Sequence, residues 1–155
     1  MNQWITPGGE ATNVCLDMLE QAHLLIAGST GSGKSVLINS LIYTALYKSP
    51  ERVHFVLIDT KKTELYDYQY LPHTLRYCDT PEGACSTLKG VITLIEQRNV
   101  RARAQGLKQS TEADIYVIID ELSDLIFTNR DTVHLIALSP QINQRPIVAH
   151  SCRSF

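Results

Sequence analysis

The segment GSTGSGKS at residues 28–35 places two glycines five positions apart and follows them with a lysine and a serine. This order fits G-x-x-x-x-G-K-[ST], a loop that binds phosphate groups when a strand precedes it and a helix follows it. Glycine allows tight turns and close backbone approach, so successive N–H groups can converge on phosphate oxygens. The alternative is a flexible Gly/Ser turn, but the apolar run HLLIA before the segment favours phosphate binding.

The predicted loop assigns specific roles to its last residues. Lys34 would reach the β- and γ-phosphates, and the Ser35 hydroxyl would contact Mg²⁺. The chain has no N-K-x-D motif for guanine, so ATP is favoured over GTP. The predicted nucleotide contacts are Gly28, Ser29, Thr30, Gly31, Ser32, Gly33, Lys34, Ser35 and Val36.

Two adjacent carboxylates follow a second apolar run, IYVIIDEL. Sheets of parallel strands bind ligands at the carboxyl ends of the strands. Asp120 would hold Mg²⁺, largely through water, and Glu121 would act on the attacking water as a base or orienting group. The alternative is that Asp120 caps the next helix and Glu121 lies in its first turn. The loop upstream favours the functional interpretation, in which Lys34 and Glu121 are catalytic.

The elements that must position these residues alternate along the chain. Apolar blocks without polar alternation are typical of strands covered on both faces, so we expect a three-layer α/β/α fold with a mostly parallel sheet. The patterns predict strands at 23–28, 53–59, 74–78, 115–120 and 147–149, and helices at 34–48, 81–105 and 121–138. A Pro-Gly-Gly turn near the start predicts a short strand or hairpin.

Length and composition set broader limits. A chain of 155 residues suits one domain, which we divide into an N-terminal hairpin or extension (1–20), a core (21–131) and an atypical tail (132–155). Four cysteines without metal-ligand spacing predict reduced thiols. Neither a signal peptide nor a membrane segment is apparent, so we expect a cytoplasmic chain, associated with a membrane only through segments or partners outside it. A net charge of -2 weakens a nucleic-acid hypothesis without excluding it.

Three blocks, in this order and spacing, carry a family resemblance. HLLIAGSTGSGKSVLINSLI, VLIDTKKTELYDYQYLPH and YVIIDELSDLI resemble the motor domain of the FtsK/SpoIIIE DNA translocases over about residues 20–128. The second block is the most specific. It matches the family at Asp59, Lys61, Glu64, Tyr66, Leu71, Pro72 and His73, with Thr60 in place of the usual proline.

The resemblance implies a P-loop NTPase of the RecA-like, additional-strand class, to which the Glu beside the metal aspartate also points. It further implies a ring of six subunits, double-stranded DNA threaded through the pore, and ATP hydrolysed with Mg²⁺ between neighbours. Lys34, Ser35, Asp120 and Glu121 match the family's motif positions. Asp59 and Lys61 would lie on the nucleotide side of the sheet, with a solvated corner as the alternative.

The resemblance weakens after the metal-aspartate helix. The family has a strand ending in A-T-Q-R-P, whose glutamine senses the γ-phosphate, whereas this chain has INQRP about a helix's length too early and without an apolar strand before it. Gln144 is therefore only a candidate sensor. We expect a sheet incomplete on its C-terminal side, with nucleotide binding surviving better than turnover, and turnover better than translocation.

Two alternative functions stay open at this point. The chain could be a nucleotide-binding but catalytically idle remnant, or a related motor that moves protein substrates. A small-molecule kinase fits less well, because no arginine-rich lid follows the loop. The basic residues Arg98, Arg101, Arg103 and Lys108 could contact DNA or simply end a solvated helix. Three tyrosines at 66, 68 and 70 could stack on bases but are more typical of packing within the loop.

Overall fold

The described part of the chain contains seven strands and three α-helices. The computed structural model describes residues 3–5, 11–13, 23–29, 31–108, 110–128 and 147–152. In chain order the elements are β1 (Gln3–Ile5), β2 (Ala11–Asn13), β3 (His23–Gly28), α1 (Lys34–Lys48), β4 (Val53–Asp59), β5 (Thr74–Cys78), α2 (Pro81–Ala104), β6 (Asp114–Asp120), α3 (Leu122–Thr128) and β7 (Ile147–Cys152).

The element boundaries follow from local sequence signals. Helix α1 begins after Gly33, whose backbone is left-handed, and ends at Ser49, before a proline that cannot continue the helix. Helix α2 begins with Pro81, and the Thr80 side chain caps it by accepting a hydrogen bond from the Gly83 N–H. The predicted bounds of β3, α1, β4 and β5 are confirmed to the residue. The helix predicted at 121–138 is described only over α3, and its remainder lies outside the described residues.

Five strands form one parallel sheet in the order β3-β7-β6-β4-β5. The three-layer, RecA-like P-loop prediction is confirmed. The strand predicted at 147–149 is also confirmed and continues to Cys152. It lies between β3 and β6, so β7 is the strand that separates the loop strand from the carboxylate strand. The residues assigned to an atypical tail therefore include a central strand.

Two apolar layers cover the sheet, one on each face. On one face, Ile38 and Ile42 of α1 pack against Phe55 and Leu57 of β4 and against Ile118 of β6. On the other face, α2 and α3 pack against alternate residues of the same two strands; this cluster includes Val56, Ile58, Ala84, Leu88, Val117, Ile119 and Leu125. Because β4 and β6 contribute to both layers, their side chains are apolar at successive positions.

Strands β1 and β2 form a separate antiparallel pair, with Trp4 opposite Thr12 in the register. Within the described ranges, no helix has both the length and the apolar character that crossing a bilayer requires.

Candidate nucleotide-binding site

The loop between β3 and α1 depends on glycine at three positions. Gly31 and Gly33 have φ angles of 78° and 88°, values that strain residues with side chains. At Gly28 an added Cβ atom would lie 2.5 Å from the Ser32 hydroxyl oxygen, so the Ser32 side chain would have to move. The loop backbone is therefore drawn in tightly, as a phosphate-binding loop requires. Thr30 lies outside the described residues.

Lys34 is the buried cation of this loop. Its side chain is largely enclosed, and its Nζ donates a hydrogen bond to the Ser29 carbonyl at 2.7 Å. No described carboxylate forms an ion pair with it. A buried ammonium compensated only by a neutral carbonyl is suited to an anionic ligand, which would supply the missing charge. Ser35 is half-buried beside it, whereas Val36 is exposed on the outer surface of α1.

Strand β6 brings Asp120 and Glu121 to the same edge of the sheet. Both are buried, at 3% and 5% exposure. Register pairs Asp120 with Asp59 of β4, so the two carboxylates lie at one level of neighbouring strands. A carboxylate such as that of Asp120 and a hydroxyl such as that of Ser35 are the kinds of oxygen ligand that Mg²⁺ takes, one or two from the protein and the rest from phosphate and water. Among the described residues, no group of three or more His, Cys, Asp and Glu side chains could hold a metal ion by itself.

The Glu121 carboxylate has partners at both oxygens. Ser123 donates its hydroxyl to Oε1, and Lys61 Nζ donates to Oε2 at 3.1 Å. Lys61 also lies 3.9 Å from Asp124 Oδ2. The hydrogen bond to Glu121 raises the pKa of Lys61, so the ammonium form is favoured. Glu121 has a φ angle of 57°, the left-handed region that a residue with a side chain rarely adopts.

Asp59 closes the turn that follows β4. It is completely buried, and its Oδ2 accepts the Leu65 N–H at 3.0 Å, while Oδ1 has no hydrogen-bond partner among the described residues. Burial excludes a solvated corner for Asp59, although Lys61 in the same turn is half-exposed. The structure thus brings Asp59, Lys61, Asp120 and Glu121 together at the carboxyl edge of the sheet.

The predicted sensor glutamine precedes the last described strand in the sequence. Gln144 lies outside the described residues. Strand β7, which follows it, pairs Ile147 with His23 at one edge of the sheet and Cys152 with Gly28 at the loop edge. The backbone position beside the phosphate loop therefore belongs to Cys152. The apolar residues after Pro146 predict a strand here. The sequence does not show that this strand pairs with both β3 and β6.

The weaker sequence signals have internal partners. Arg98 and Arg101 both pair with Glu112, the latter at 2.8 Å, so they tie the end of α2 to the segment before β6. Tyr68 donates its hydroxyl to Asn39 of α1 at 2.8 Å. Tyr66 packs edge-on against Tyr77 of β5. These contacts support the structural interpretation for both groups.

Similarity to known proteins agrees with this geometry. A model of the FtsK/SpoIIIE family matches residues 5–150. The chain belongs to the FtsK/SpoIIIE family. The DNA translocase FtsK of Caldanaerobacter subterraneus subsp. tengcongensis is 40% identical over 128 aligned residues, covering 75% of this chain and 18% of that protein. The DNA translocase FtsK of Lactiplantibacillus plantarum is 39% identical over 141 aligned residues, covering 77% of this chain and 18% of that protein. This FtsK/SpoIIIE chain thus spans less than a fifth of the length of either relative.

Solved structures show the same fold at low sequence identity. EssC (ATPases 2 and 3) from Geobacillus thermodenitrificans superposes with a TM-score of 0.74 at 20% identity, covering 96% of this chain and 32% of that one. Thermomonospora curvata EccC (ATPases 2 and 3), in complex with a signal sequence peptide, gives a TM-score of 0.68 at 22% identity, covering 94% of this chain and 27% of that one. The pCW3 conjugation coupling protein TcpA, solved with ATPγS, gives a TM-score of 0.60 at 19% identity, covering 84% of this chain and 42% of that one. The FtsK/SpoIIIE chain therefore has a P-loop ATPase fold.

Proposed function

We propose that this chain is the ATP-hydrolysing motor domain of an FtsK/SpoIIIE-like translocase of double-stranded DNA. One observation carries the catalytic part of the proposal. The enclosed Lys34 of the glycine loop and the buried Asp120–Glu121 pair lie at the same edge of one parallel sheet. This edge is where parallel sheets bind ligands.

Each residue of the site has its own proposed role. Loop N–H groups and Lys34 would bind the phosphates and offset their charge. Ser35 and Asp120 would hold Mg²⁺, which when bound supplies positive charge to the phosphate oxygens. Glu121 would orient the attacking water and accept its proton at the carboxylate. Asp59 supports the site by anchoring the turn after β4 through the Leu65 N–H.

The DNA partner and the ring rest on family membership. Relatives at about 40% identity are named DNA translocase FtsK. We infer that subunits associate in a ring, by family resemblance a hexamer, around the duplex. We also infer that residues 1–155 form a single ATPase domain that works in the cytoplasm, associated with a membrane only through segments or partners outside this chain.

A second candidate is a motor for protein substrates. The structural relatives EccC and EssC share the fold, and EccC was solved with a signal sequence peptide. A third is a domain that binds nucleotide without turnover. The three candidates differ in their response to DNA.

The deciding experiment measures ATP hydrolysis by the full chain with Mg²⁺, with and without duplex DNA. We expect turnover that rises with DNA. Lys34→Ala is expected to lower turnover by about 100-fold or more, because a charged group aimed at the transferred phosphate is lost. Nucleotide affinity, measured with a fluorescent ATP analogue, should fall as well.

Lys48→Ala is the matched control, since Lys48 lies at the far end of the same helix. It should retain wild-type turnover. Turnover that ignores DNA would favour the protein-substrate motor, and nucleotide binding without turnover would favour the idle domain.

A further inference from the structure

We propose that the Lys61–Glu121 ion pair is a resting contact, which holds the Glu121 carboxylate away from the attacking water and must open before ATP is hydrolysed. This inference rests on the proposed ATPase function. Lys61 is then a positioning residue that acts through Glu121, and it limits turnover in the resting protein.

The first argument is the order of the strands. Lys61 belongs to the turn that leaves β4, and β4 lies on the side of β6 opposite to β7 and β3. Neighbouring strands are about 4.8 Å apart, so β4 is about 14 Å from β3 and its phosphate loop. A contact with Lys61 therefore draws the Glu121 carboxylate toward the far side of the sheet.

The second argument is the face of the sheet. Helix α3, which carries Ser123 and Asp124, packs through Leu125 in the same apolar layer as α2. Lys34 and Ser35 begin α1, which covers the opposite face. Ser123, in α3, thus holds Glu121 Oε1 on the face away from α1, while Lys61 holds Oε2 from the turn after β4.

The third argument is backbone strain. Glu121 and Lys62 both have φ angles of 57°. Such conformations persist only where surrounding contacts impose them, and they concentrate at functional sites. The contacts here are explicit, because Lys61 pairs with Glu121 and Lys62 pairs with Asp79 at 2.8 Å. Lys61 is thus the contact from this turn to Glu121, and Lys62 is bound elsewhere.

The two lysines provide a matched test. Lys61→Met removes the ammonium group but keeps the stem. We expect unstimulated turnover at saturating Mg-ATP to rise about two- to fivefold, the factor that corresponds to losing one partly exposed ion pair. The nucleotide dissociation constant should stay unchanged, so the effect is on kcat and not on binding.

Three controls separate the contact from general disturbance of the turn. Lys62→Met makes the same change one residue along and should behave as wild type, because Lys62 pairs with Asp79. Lys61→Arg keeps a cation and should also behave as wild type. In a Glu121→Gln background, Lys61→Met should give no increase.

Turnover by Lys61→Met equal to or below wild type, with nucleotide binding intact, would overturn the inference. Should neither protein hydrolyse ATP while both bind it, the proposed function fails, and crystal structures of the two proteins with Mg-ATPγS decide the inference separately. A Glu121 side chain that leaves Ser123 in the variant supports it; one that stays on Ser123 contradicts it.

Discussion

At the scale of single residues, the candidate site is made of groups whose burial has a chemical reason. Lys34, Asp59, Asp120 and Glu121 are all enclosed, although charged side chains are rarely buried without partners. The loop, Asp120 and Glu121 could be identified from the sequence because each motif is contiguous. The Lys61–Glu121 ion pair could not be identified in this way, because its members are 60 residues apart and no local sequence pattern indicates that they are in contact.

Gly28 offers a direct test of the loop's close packing. Gly28→Ala would place a methyl group 2.5 Å from the Ser32 oxygen. We expect nucleotide affinity to fall by up to about tenfold, because the Ser32 hydroxyl must leave its position in the loop to make room for the methyl group. Equilibrium binding of a fluorescent ATP analogue measures the change.

Gly90→Ala is the control for this substitution. Gly90 lies within α2, where an added Cβ meets no atom within 4 Å. Alanine is the better helix former, so the free energy of unfolding should rise by about 0.5–1 kcal/mol with nucleotide affinity unchanged. Equal affinities of the two variants would contradict a special role for Gly28.

At the scale of elements, local signals predicted where strands and helices begin and end, but not which strands lie side by side in the sheet. Periodicity, glycine and proline placed β3, α1, β4 and β5 correctly, since these signals act within a few residues. The position of β7 between β3 and β6 was not predicted. Pairing between strands far apart in the chain depends on the whole sheet, and an apolar strand is equally compatible with an edge or a centre.

Tyr68, between β4 and β5, and Tyr77, within β5, make an element-scale prediction. Burial raises the pKa of both Tyr68 and Tyr77 to about 12. The Tyr68 hydroxyl bonds Asn39, whereas the buried Tyr77 hydroxyl has no partner among the described residues. Tyr68→Phe should therefore lower the free energy of unfolding by about 1 kcal/mol, and Tyr77→Phe should leave it unchanged or raise it.

Alkaline pH gives a second test, because the pKa of Tyr77 is raised in the folded chain. A folded-state pKa above the unfolded value of about 10 gives stability that is complete below pH 10 and is lost as pH rises toward 12. Urea unfolding between pH 8 and 11 should show a smaller alkaline loss in Tyr77→Phe than in wild type. An identical loss would mean that Tyr77 ionises as freely in the folded chain as in the unfolded one.

At the scale of the whole molecule, the sheet joins two apolar layers into one unit. Strands β4 and β6 contribute alternate residues to both layers, so loss of either layer removes support from the other. The family relatives are more than five times as long as the region matched here.

Core truncation on either face should therefore unfold the same unit. Ile42→Ala, on the α1 face, and Leu88→Ala, on the α2 face, should each lower the free energy of unfolding by about 2–5 kcal/mol. Each should keep one cooperative transition. Val100→Ala changes an exposed position of α2 and should stay within about 0.5 kcal/mol of wild type. Two separated transitions in urea, followed by circular dichroism, would contradict a single unit.

The place of β7 also has a consequence for how the chain acquires its structure during synthesis. Strand β7 comes after every other described strand, yet it fills the gap between β3 and β6. A nascent polypeptide that has emerged only as far as α3 holds two strand edges open for a partner still inside the ribosome. Contacts this distant along the chain form slowly, and open edges invite wrong partners. Until β7 emerges, the facing edges of β3 and β6 are therefore places where the nascent chain can pair wrongly.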